Sequence, residues 1–244
     1  MKKKLIVSIN QPAYLPWLGY FDRITKSDLH IVLDHVQFEK NSVVNRNKIK
    51  TPQGSLWLTV PVKTKGKFGR NPINELLIDN QTDWRKKHFK SLCQNYTKAR
   101  HFQLFEPFFK EMYQRGWRKI IDLNMHFIRF VLTHLGIQTP LVFSSSLSPE
   151  KTKGELVLEL CRRVGATHYI SGAFGRNYLD LECFQQNGIE VAFQDFTHPH
   201  YEQLYESFKD RLSIADLLFN CGETSSDVLC GSAFSSLSNG GRGE

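Results

Sequence analysis

Polar side chains that can bind or activate a substrate are concentrated just after the segments that we expect to be strands. The first such place is the connection after a buried apolar run at residues 5–9, which reads Asn-Gln-Pro-Ala-Tyr-Leu-Pro-Trp-Leu-Gly-Tyr over residues 10–20. Two prolines stiffen this connection, so its side chains are suited to forming the wall of a ligand pocket. The candidates are Asn10, Gln11, Tyr14 and Trp17. An alternative is that Trp17 and Tyr20 seal the following helix against the sheet.

A second group of polar residues follows the next expected strand, at residues 29–34. Asp34 ends that strand, at a position suited to a ribose hydroxyl, a metal ion or a substrate amine, and His35 comes next. Downstream lie donors that can hold phosphate or carboxylate groups. They are Gln37, Asn45, Arg46 and Asn47. A basic loop of this kind is often solvated surface, but its place beside a strand end keeps a binding role equally open.

Two further connections carry weaker signals of anion binding. Residues 144–154 offer hydroxyls, backbone N–H groups and Lys153, without the spacing of a P-loop. Ser171 and Gly172 begin a strand-to-helix glycine turn in which Arg176 is the natural anion clamp. We predict that Arg46 and Arg176 converge on one anion, because both follow strands whose carboxyl ends we place together.

Metal sites and the familiar catalytic motifs are not indicated. His198 stands in a His-Pro-His sequence after the last strand, and since no third ligand has metal spacing we assign it a polar or acid–base role. The five cysteines include no Cys-x-x-Cys pair, so we expect reduced thiols rather than disulfides or structural zinc. Motifs of serine hydrolases, zinc metalloproteases, dinucleotide oxidoreductases and kinases are absent, which disfavours those classes.

Alternating strand and helix patterns must position these residues. Strands are predicted at 5–9, 29–34, 141–143, 168–171 and 190–196, and helices at 16–26, 153–164, 178–187 and 213–219. The pattern predicts one α/β domain over residues 1–221, with a mainly parallel Rossmann-like sheet and the 10–17 connection at its carboxyl edge. A β-hairpin at 48–62 and a helical segment at about 83–135 interrupt the alternation. Residues 222–244 contain 11 glycine or serine residues, and we expect a mobile tail.

The formal charge of +8 is concentrated in the first third of the chain. Residues 1–70 hold 13 lysine or arginine residues against 4 aspartate or glutamate residues. Such a field attracts phosphate, on nucleic acid, on a membrane surface or on a nucleotide-linked substrate, although a solvated face is the alternative. There is no apolar run of the roughly 18 residues that a membrane span needs, and no cleavage site of a secretion signal. We therefore expect a cytoplasmic protein.

Several motifs, running in order from about residue 6 to 222, together resemble the WbqC-like family. The motifs are Gln11-Pro-x-Tyr-Leu-Pro-Trp-Leu-Gly-Tyr-Phe21, Ser27-Asp28, Leu33-Asp-x-Val-Gln-Phe38, Asn45-Arg-Asn-Lys-Ile-Lys-Thr51, Trp57-Leu-Thr-Val-Pro-Val62, Tyr169-Ile-Ser-Gly172 and Tyr178-Leu-Asp180. The family usually has histidine where this chain has Asn10, and often a second acid where it has His35. If the family histidine is an acid–base group, the resemblance implies either that Asn10 abolishes that role here or that His35 takes it over.

The resemblance implies a function in bacterial O-antigen or other surface-polysaccharide biosynthesis. Members of the family lie in such gene clusters, and some transfer an amino acid, glycine in particular, to an amino sugar. The expected activity is aminoacyl or acyl transfer, or ATP-dependent amide ligation, onto the amino group of a nucleotide-linked deoxyamino sugar. At the level of fold alone, the 10–17 connection also resembles the ATP-binding loop of nucleotidylyltransferase-like proteins, without their His-x-Gly-His motif.

Such a reaction needs an activated acyl group and a general base. A free carboxylate does not acylate an amine at useful rates, so the donor is an adenylate made from ATP or a charged carrier such as aminoacyl-tRNA. Asp34 and His198 are the candidate bases, with His35 as the alternative. A non-catalytic protein that binds a sugar nucleotide or nucleic acid, or acts as a scaffold, is the competing hypothesis.

Overall fold

The computed structural model describes residues 3–64 and 71–238. Its strands are β1 (Ile6–Asn10), β2 (Leu29–Val32), β3 (Arg46–Thr51), β4 (Gly54–Thr59), β5 (Leu141–Phe143), β6 (His168–Ser171) and β7 (Glu190–Phe193). Its α-helices are α1 (Leu18–Thr25), α2 (Trp84–Tyr96), α3 (Phe102–Gln114), α4 (Ile120–His134), α5 (Lys153–Arg163), α6 (Leu181–Gln186), α7 (Ile214–Cys221) and α8 (Ser225–Ser238). None of the helices within the described ranges is long and apolar enough to cross a membrane.

Five strands form one parallel sheet in the order β5-β2-β1-β6-β7. Strand β1 occupies the centre, where Val7 pairs with Leu29 of β2 on one side and with Tyr169 of β6 on the other. The prediction of a mainly parallel Rossmann-like sheet is confirmed. Since the chain builds outward from β1 through β2 to β5 and then returns to β6, the strand order reverses between β1 and β6. Ligands of such sheets bind at this reversal, beyond the carboxyl ends of the strands.

Successive side chains of the central strands point to opposite faces of the sheet, so an apolar cluster forms on each face. Val7 and Ile9 of β1 pack with residues of α5 and α6 on one face. Ser8 of the same strand points to the opposite face, which α1 covers. That opposite face adjoins the larger apolar core, built from α1, the hairpin and helices α2, α3, α4 and α7. Polar residues on this face therefore lie between the sheet and α1.

The predicted hairpin and helical segment both lie in the connection from β2 to β5, and both are confirmed. Strands β3 and β4 pair antiparallel in a separate two-stranded sheet, from Arg46 opposite Thr59 to Thr51 opposite Gly54. Helices α2, α3 and α4 together run from Trp84 to His134, which matches the helical segment predicted at about 83–135. The aromatic residues of α3 at helical spacing are core, as Phe105 and Phe109 show by their burial.

The end of the chain differs from the predicted mobile tail. Residues 225–238 form helix α8, which contacts α1 and α7. The high content of glycine and serine obscured two apolar anchors: Leu229 is 1% exposed, and Val228 packs against the core. Residues 239–244 of the predicted tail lie outside the described residues.

Candidate functional site

The carboxyl edge of the parallel sheet gathers polar groups from three neighbouring strand ends. The 10–17 connection leaves β1 at this edge, as predicted. Gly172 follows β6 and Gln194 follows β7. Two side-chain systems lie here, one centred on Arg23 of α1 and one on His35 after β2.

Arg23 is nearly buried and carries an unmatched charge. It is 8% exposed, and its Nε donates to Gln194 Oε1 at 3.0 Å. Gln194 is itself fixed, because its Nε2 donates to Gly19 O at 2.8 Å and to Asp22 Oδ2 at 2.7 Å. Asp22 forms its ion pair with Lys26, at 2.9 Å. Among the described residues, Arg23 has no ion pair, and its Nη1 and Nη2 have no hydrogen-bond partner.

The glycine turn after β6 makes room for this guanidinium. A Cβ atom at Gly172 would lie 2.9 Å from Nη2 of Arg23 and 3.0 Å from Nη1, closer than side chains tolerate. The arginine head therefore lies against the backbone directly beyond β6, beside the point where the strand order reverses. Burying an arginine without a counter-charge is costly. An anion bound to its free N–H groups would compensate that cost, and guanidinium geometry suits phosphate and carboxylate.

Beneath α1 lies a floor of polar side chains with unused hydrogen-bonding atoms. Ser8 Oγ bonds His30 Nδ1 at 2.8 Å. The Nε2 of His30, the hydroxyl of Tyr20 and the Nδ2 of Asn10 are buried and have no hydrogen-bond partner within the described chain. Burial, together with the nearby charge of Arg23, lowers the pKa of His30 to about 3. His30 is therefore a neutral group at pH 7, and Asn10 offers a free donor at the end of β1.

Asp34, Ser144 and His35 form a chain of hydrogen bonds between the ends of β2 and β5. Ser144 Oγ donates its only hydrogen to Asp34 Oδ1 at 2.9 Å. Ser144 Oγ lies 2.6 Å from His35 Nδ1, and must therefore accept this bond from the imidazole N–H. The network thus assigns the Nδ1–H tautomer to His35 and leaves a lone pair on Nε2, for which the described residues supply no partner.

The carboxylate of Asp34 is held in this network by hydrogen bonds from residues 144 and 145. Asp34 is 3% exposed, and it also accepts the backbone N–H of Ser145 at 2.8 Å and the Ser145 hydroxyl at 2.6 Å. Burial lowers the pKa of His35 below its ordinary value. The negative charges of Asp34 and Glu159 raise the pKa, but by less than burial lowers it. A half-buried neutral imidazole with a free nitrogen is suited to accept a proton at pH 7.

The spacing of the sheet relates the two systems. Strands β2 and β6 flank β1, so their ends are separated by two strand spacings, about 10 Å. Arg23 lies beside the turn after β6, and His35 follows β2 by three residues. The end of β1, with Asn10, therefore lies between the two systems along this edge.

Several of the predicted site residues instead hold the fold together. Tyr14 does not line a pocket: its hydroxyl lies in the core, 2.8 Å from His88 Nδ1 and 2.5 Å from the Tyr113 hydroxyl. Trp17 packs edge-to-face on Tyr20, which agrees with the sealing role. Asn47 Nδ2 donates to Leu15 O, which fixes the 10–17 connection to the hairpin.

The remaining residues of the basic segment have contacts of their own. Asn45 is buried and donates to Val60 O at 2.8 Å within the hairpin. Gln37 Oε1 accepts the backbone N–H of Asn71 at 2.9 Å. Gln11 is partly exposed, and no polar contact of its side chain occurs among the described residues.

The structure does not bring Arg46 and Arg176 into contact with a shared group. Arg46 Nη2 donates to Asn41 O at 2.7 Å, and its guanidinium lies over the Trp57 ring at 4.4 Å. Arg176 lies over the ring of Phe193 at 4.2 Å. Convergence of the two arginines on one anion thus remains a prediction, while Ser171 and Gly172, which lead into the turn of Arg176, adjoin Arg23.

Lys153 and His198 lie apart from the hydrogen-bond networks at the edge. Lys153 is the exposed first residue of α5. His198 packs among aromatic rings, stacking on Tyr201 with 6.1 Å between centroids, and its Nδ1 lies 3.0 Å from Pro199 O. Burial lowers the pKa of His198. Within residues 3–64 and 71–238, no group of three histidine, cysteine, aspartate or glutamate side chains could hold a metal ion.

Sequence reasoning missed Arg23 and Gln194. Both lie in segments that looked like ordinary helix and strand ends, and their meeting depends on α1 crossing the end of β7. The one sequence feature that could have indicated this contact is Gly172, because a residue without a side chain leaves room for the guanidinium of Arg23.

Comparison with known proteins gives the family. The family model described as "WbqC-like protein family" matches residues 11–228. The chain belongs to the WbqC-like family. One similar protein is the Uncharacterized protein Rv1507c of Mycobacterium tuberculosis (strain ATCC 25618 / H37Rv), which is 39% identical over 231 residues, covering 94% of this chain and 98% of that protein. No solved structure matches the chain. The region of this WbqC-like chain that the family model matches contains the residues of both side-chain systems, namely Arg23, His35, Ser144, Gly172 and Gln194.

Proposed function

We propose that this WbqC-like protein is a cytoplasmic transferase that forms an amide on the amino group of a nucleotide-linked deoxyamino sugar in surface-polysaccharide biosynthesis. The observation that carries the proposal is Arg23, a buried arginine at the reversal of the strand order that forms no ion pair among the described residues. A diphosphate-linked sugar supplies the anion that this site lacks. The family resemblance supports the amino sugar as acceptor and an aminoacyl group, such as glycyl, as donor.

In this proposal, Arg23 holds the phosphate of the acceptor and the edge orients the sugar. Gln194 keeps the guanidinium in place through the bond to its Nε, which leaves both Nη groups for phosphate oxygens. Asn10 ends β1, between β2 and β6 in the sheet, and a rotation of its side chain would bring the unpartnered, buried Nδ2 to a sugar hydroxyl. The roughly 10 Å between the strand ends allows the sugar amine to approach His35 while phosphate rests on Arg23.

His35 removes the proton that the chemistry must release. The neutral Nε2 of His35 accepts a proton from the substrate ammonium, and the freed amine attacks the carbonyl carbon of the activated acyl group. The C–N bond forms as the bond from the carbonyl carbon to the leaving group breaks, which releases AMP from an adenylate or the ribose hydroxyl of a tRNA. Asp34 and Ser144 hold the imidazole in the required tautomer.

The test is a search for the product. Purified protein is mixed with ATP, amino acids and a panel of amino-sugar nucleotides, and the mixture is analysed by mass spectrometry. The proposal predicts a sugar nucleotide heavier by one aminoacyl residue, dependent on His35. A second series replaces ATP and free amino acids with aminoacyl-tRNA. Absence of product in both series, with sugar-nucleotide binding intact, would leave a binding protein rather than an enzyme.

One observation favours the alternative of nucleic-acid binding. An open groove of about 680 Å³ lies between β4 and the start of α4, and its lining includes Lys63, Arg85 and Arg118. None of these three cations has an ion pair among the residues that the structure describes. If the groove holds a phosphate backbone, RNA affinity falls steeply with added salt, and Arg118→Gln reduces that salt dependence. Salt-insensitive or undetectable RNA binding would remove this alternative and the tRNA donor with it.

A further inference from the structure

A pocket outside the carboxyl edge opens beside the end of strand β3. Its volume is about 320 Å³, within the range of small-molecule sites. The lining includes Lys50 of β3 and, from the segment before α7, His200, Tyr201, Tyr205 and Phe208. None of these residues belongs to the Arg23 or His35 systems, so the pocket is separate from the proposed transferase site.

Lys50 supplies a positive charge to this pocket. Its side chain is 1% exposed, and its Nζ donates to the backbone carbonyl of Tyr205 at 3.2 Å. An ammonium has three N–H donors, and the described residues supply no other hydrogen bond or ion pair to this one. Tyr205 adopts a left-handed conformation, with φ of 66°, and is anchored at its other end by a bond from its hydroxyl to Asn95 O at 2.8 Å.

Asp216 supports the lysine without occupying its donors. Asp216 is fully buried, and its carboxylate accepts the hydroxyls of Tyr96 and Tyr201, both at 2.8 Å. Tyr96 in turn accepts the backbone N–H of Lys50 at 2.8 Å. Burial lowers the pKa of Lys50, and the charge of Asp216 opposes that effect. The free N–H groups of Lys50 therefore remain available to a ligand.

Aromatic rings form the walls around this cation. His200 stacks on Phe208 with 4.0 Å between centroids, and Tyr201 meets Phe208 edge-on at 5.6 Å. Flat rings of this kind pack against a planar apolar body. Lys50 is the only lysine or arginine among the described lining residues, whereas Glu202 at the rim repels a second negative charge. The pocket thus matches a ligand with one negative charge.

We propose that this pocket binds a small monocarboxylate with a planar apolar body. The carboxylate accepts hydrogen bonds from Lys50 Nζ, and the body packs against Tyr201, Tyr205 and Phe208. A single carboxylate adds a direct hydrogen-bond partner for the N–H groups of Lys50 Nζ that Tyr205 O does not occupy, and it brings no second negative charge toward Glu202.

Probe ligands of matched shape test the charge assignment in the unmodified protein. Benzoate, benzamide and phenyl phosphate are titrated in turn by calorimetry at pH 7.5. A charge-assisted contact predicts that benzoate binds about tenfold or more tightly than benzamide. Phenyl phosphate, a dianion, is expected to bind more weakly than benzoate. Equal binding of benzoate and benzamide, tighter binding of phenyl phosphate, or no binding of any probe would overturn the proposal.

Variants then locate the site. Lys50→Met should abolish the advantage of benzoate over benzamide, whereas the matched control Lys110→Met, an exposed lysine on α3, should retain it. If Lys50→Met does not fold, Glu202→Gln at the exposed rim gives an independent test. This variant should reduce the difference in affinity between benzoate and phenyl phosphate. The proposal is contradicted if that difference in affinity is unchanged in Glu202→Gln, or if the benzoate affinity is unchanged in folded Lys50→Met.

Discussion

The carboxyl edge and the hairpin face contain similar polar residues but use them differently. In the hairpin, Asn47 donates to Leu15 O and accepts the backbone N–H of Lys48, so both ends of its amide are occupied. At the edge, Arg23 uses only Nε, and His35 uses only Nδ1. Buried atoms without a partner also occur beside the hairpin, at Asn45 Oδ1 and Arg46 Nε, so they do not by themselves mark a site. What distinguishes the edge is that such atoms accompany the Arg23 guanidinium at the reversal of the strand order, where a bound anion would improve the energy.

This difference teaches that residue type near a strand end does not identify a binding residue. Asn47 and Tyr14 have the chemistry of site residues, yet their hydrogen bonds are consumed within the fold. Arg23, in the last turn of a short helix, bonds Gln194 through Nε, and its Nη groups have no hydrogen-bond partner among the described residues. The comparison predicts that variants at the edge change binding and turnover, and that variants at the hairpin face change stability.

The largest expected effect is on turnover in His35→Gln. Loss of a general base typically lowers a rate by about 10²–10⁴-fold. The melting temperature should change little, since His35 is half-buried and makes one side-chain hydrogen bond. Steady-state rates of amide formation measure the effect, with His198→Gln as the matched histidine control. If His198→Gln loses the activity and His35→Gln retains it, the base lies in the aromatic cluster and the assignment is wrong.

Asp34→Asn separates the positioning role from a direct catalytic one. The amide can still accept hydrogen bonds from Ser144 and the Ser145 backbone, so turnover should fall by less than about tenfold, while the free energy of unfolding falls by about 1–3 kcal/mol. Turnover and urea unfolding are measured on the same preparation. A loss of turnover as large as in His35→Gln, with stability unchanged, would make Asp34 the base.

Asn47→Ala tests the other half of the comparison. It leaves the carbonyl of Leu15 without its amide donor, which should reduce the free energy of unfolding by about 1–3 kcal/mol. Turnover per folded molecule should be unchanged, because the amide contacts no ligand in this account. Chemical denaturation and an active-fraction assay give the two quantities. Selective loss of sugar-nucleotide affinity with normal stability would place Asn47 in the site.

The polar floor beneath α1 predicts a loss of stability in acid. The unfolded His30 titrates near its ordinary pKa of about 6.5, whereas the folded group has a pKa of about 3. Below pH 6.5 the unfolded chain therefore binds a proton at His30, whereas in the folded chain His30 stays neutral. The free energy of unfolding declines until the pH reaches about 3. Between pH 7 and pH 5 this amounts to about 2 kcal/mol. His30→Gln should show a correspondingly smaller decline in urea unfolding; an identical decline would contradict a neutral His30.

The sequence predicts most strands and helices well, because each depends on a pattern of neighbouring residues. The strand at residues 168–171 and helices α2 to α4 follow from apolar periodicity, and the parallel sheet follows from their alternation. Helix α8 was missed because two apolar residues anchor it within a glycine- and serine-rich composition. In the site, Asp34 and His35 are predicted as neighbours, but Ser144, which links them, follows β5, far along the chain. Arg23 and Gln194 meet only through the tertiary fold.

Calorimetry of UDP and dTDP binding to Arg23→Met tests the central claim most directly. These nucleotides carry the diphosphate shared by nucleotide sugars, and the matched control is Arg129→Met, which removes an exposed arginine of α4. A second variant, Gly172→Ala, displaces the Arg23 head without removing its charge. With melting temperatures checked, Arg23→Met should weaken binding of whichever nucleotide binds more tightly by about ten- to hundredfold, and Gly172→Ala should weaken it by less. Unchanged affinity in folded Arg23→Met, or an equal loss in Arg129→Met, would contradict the account.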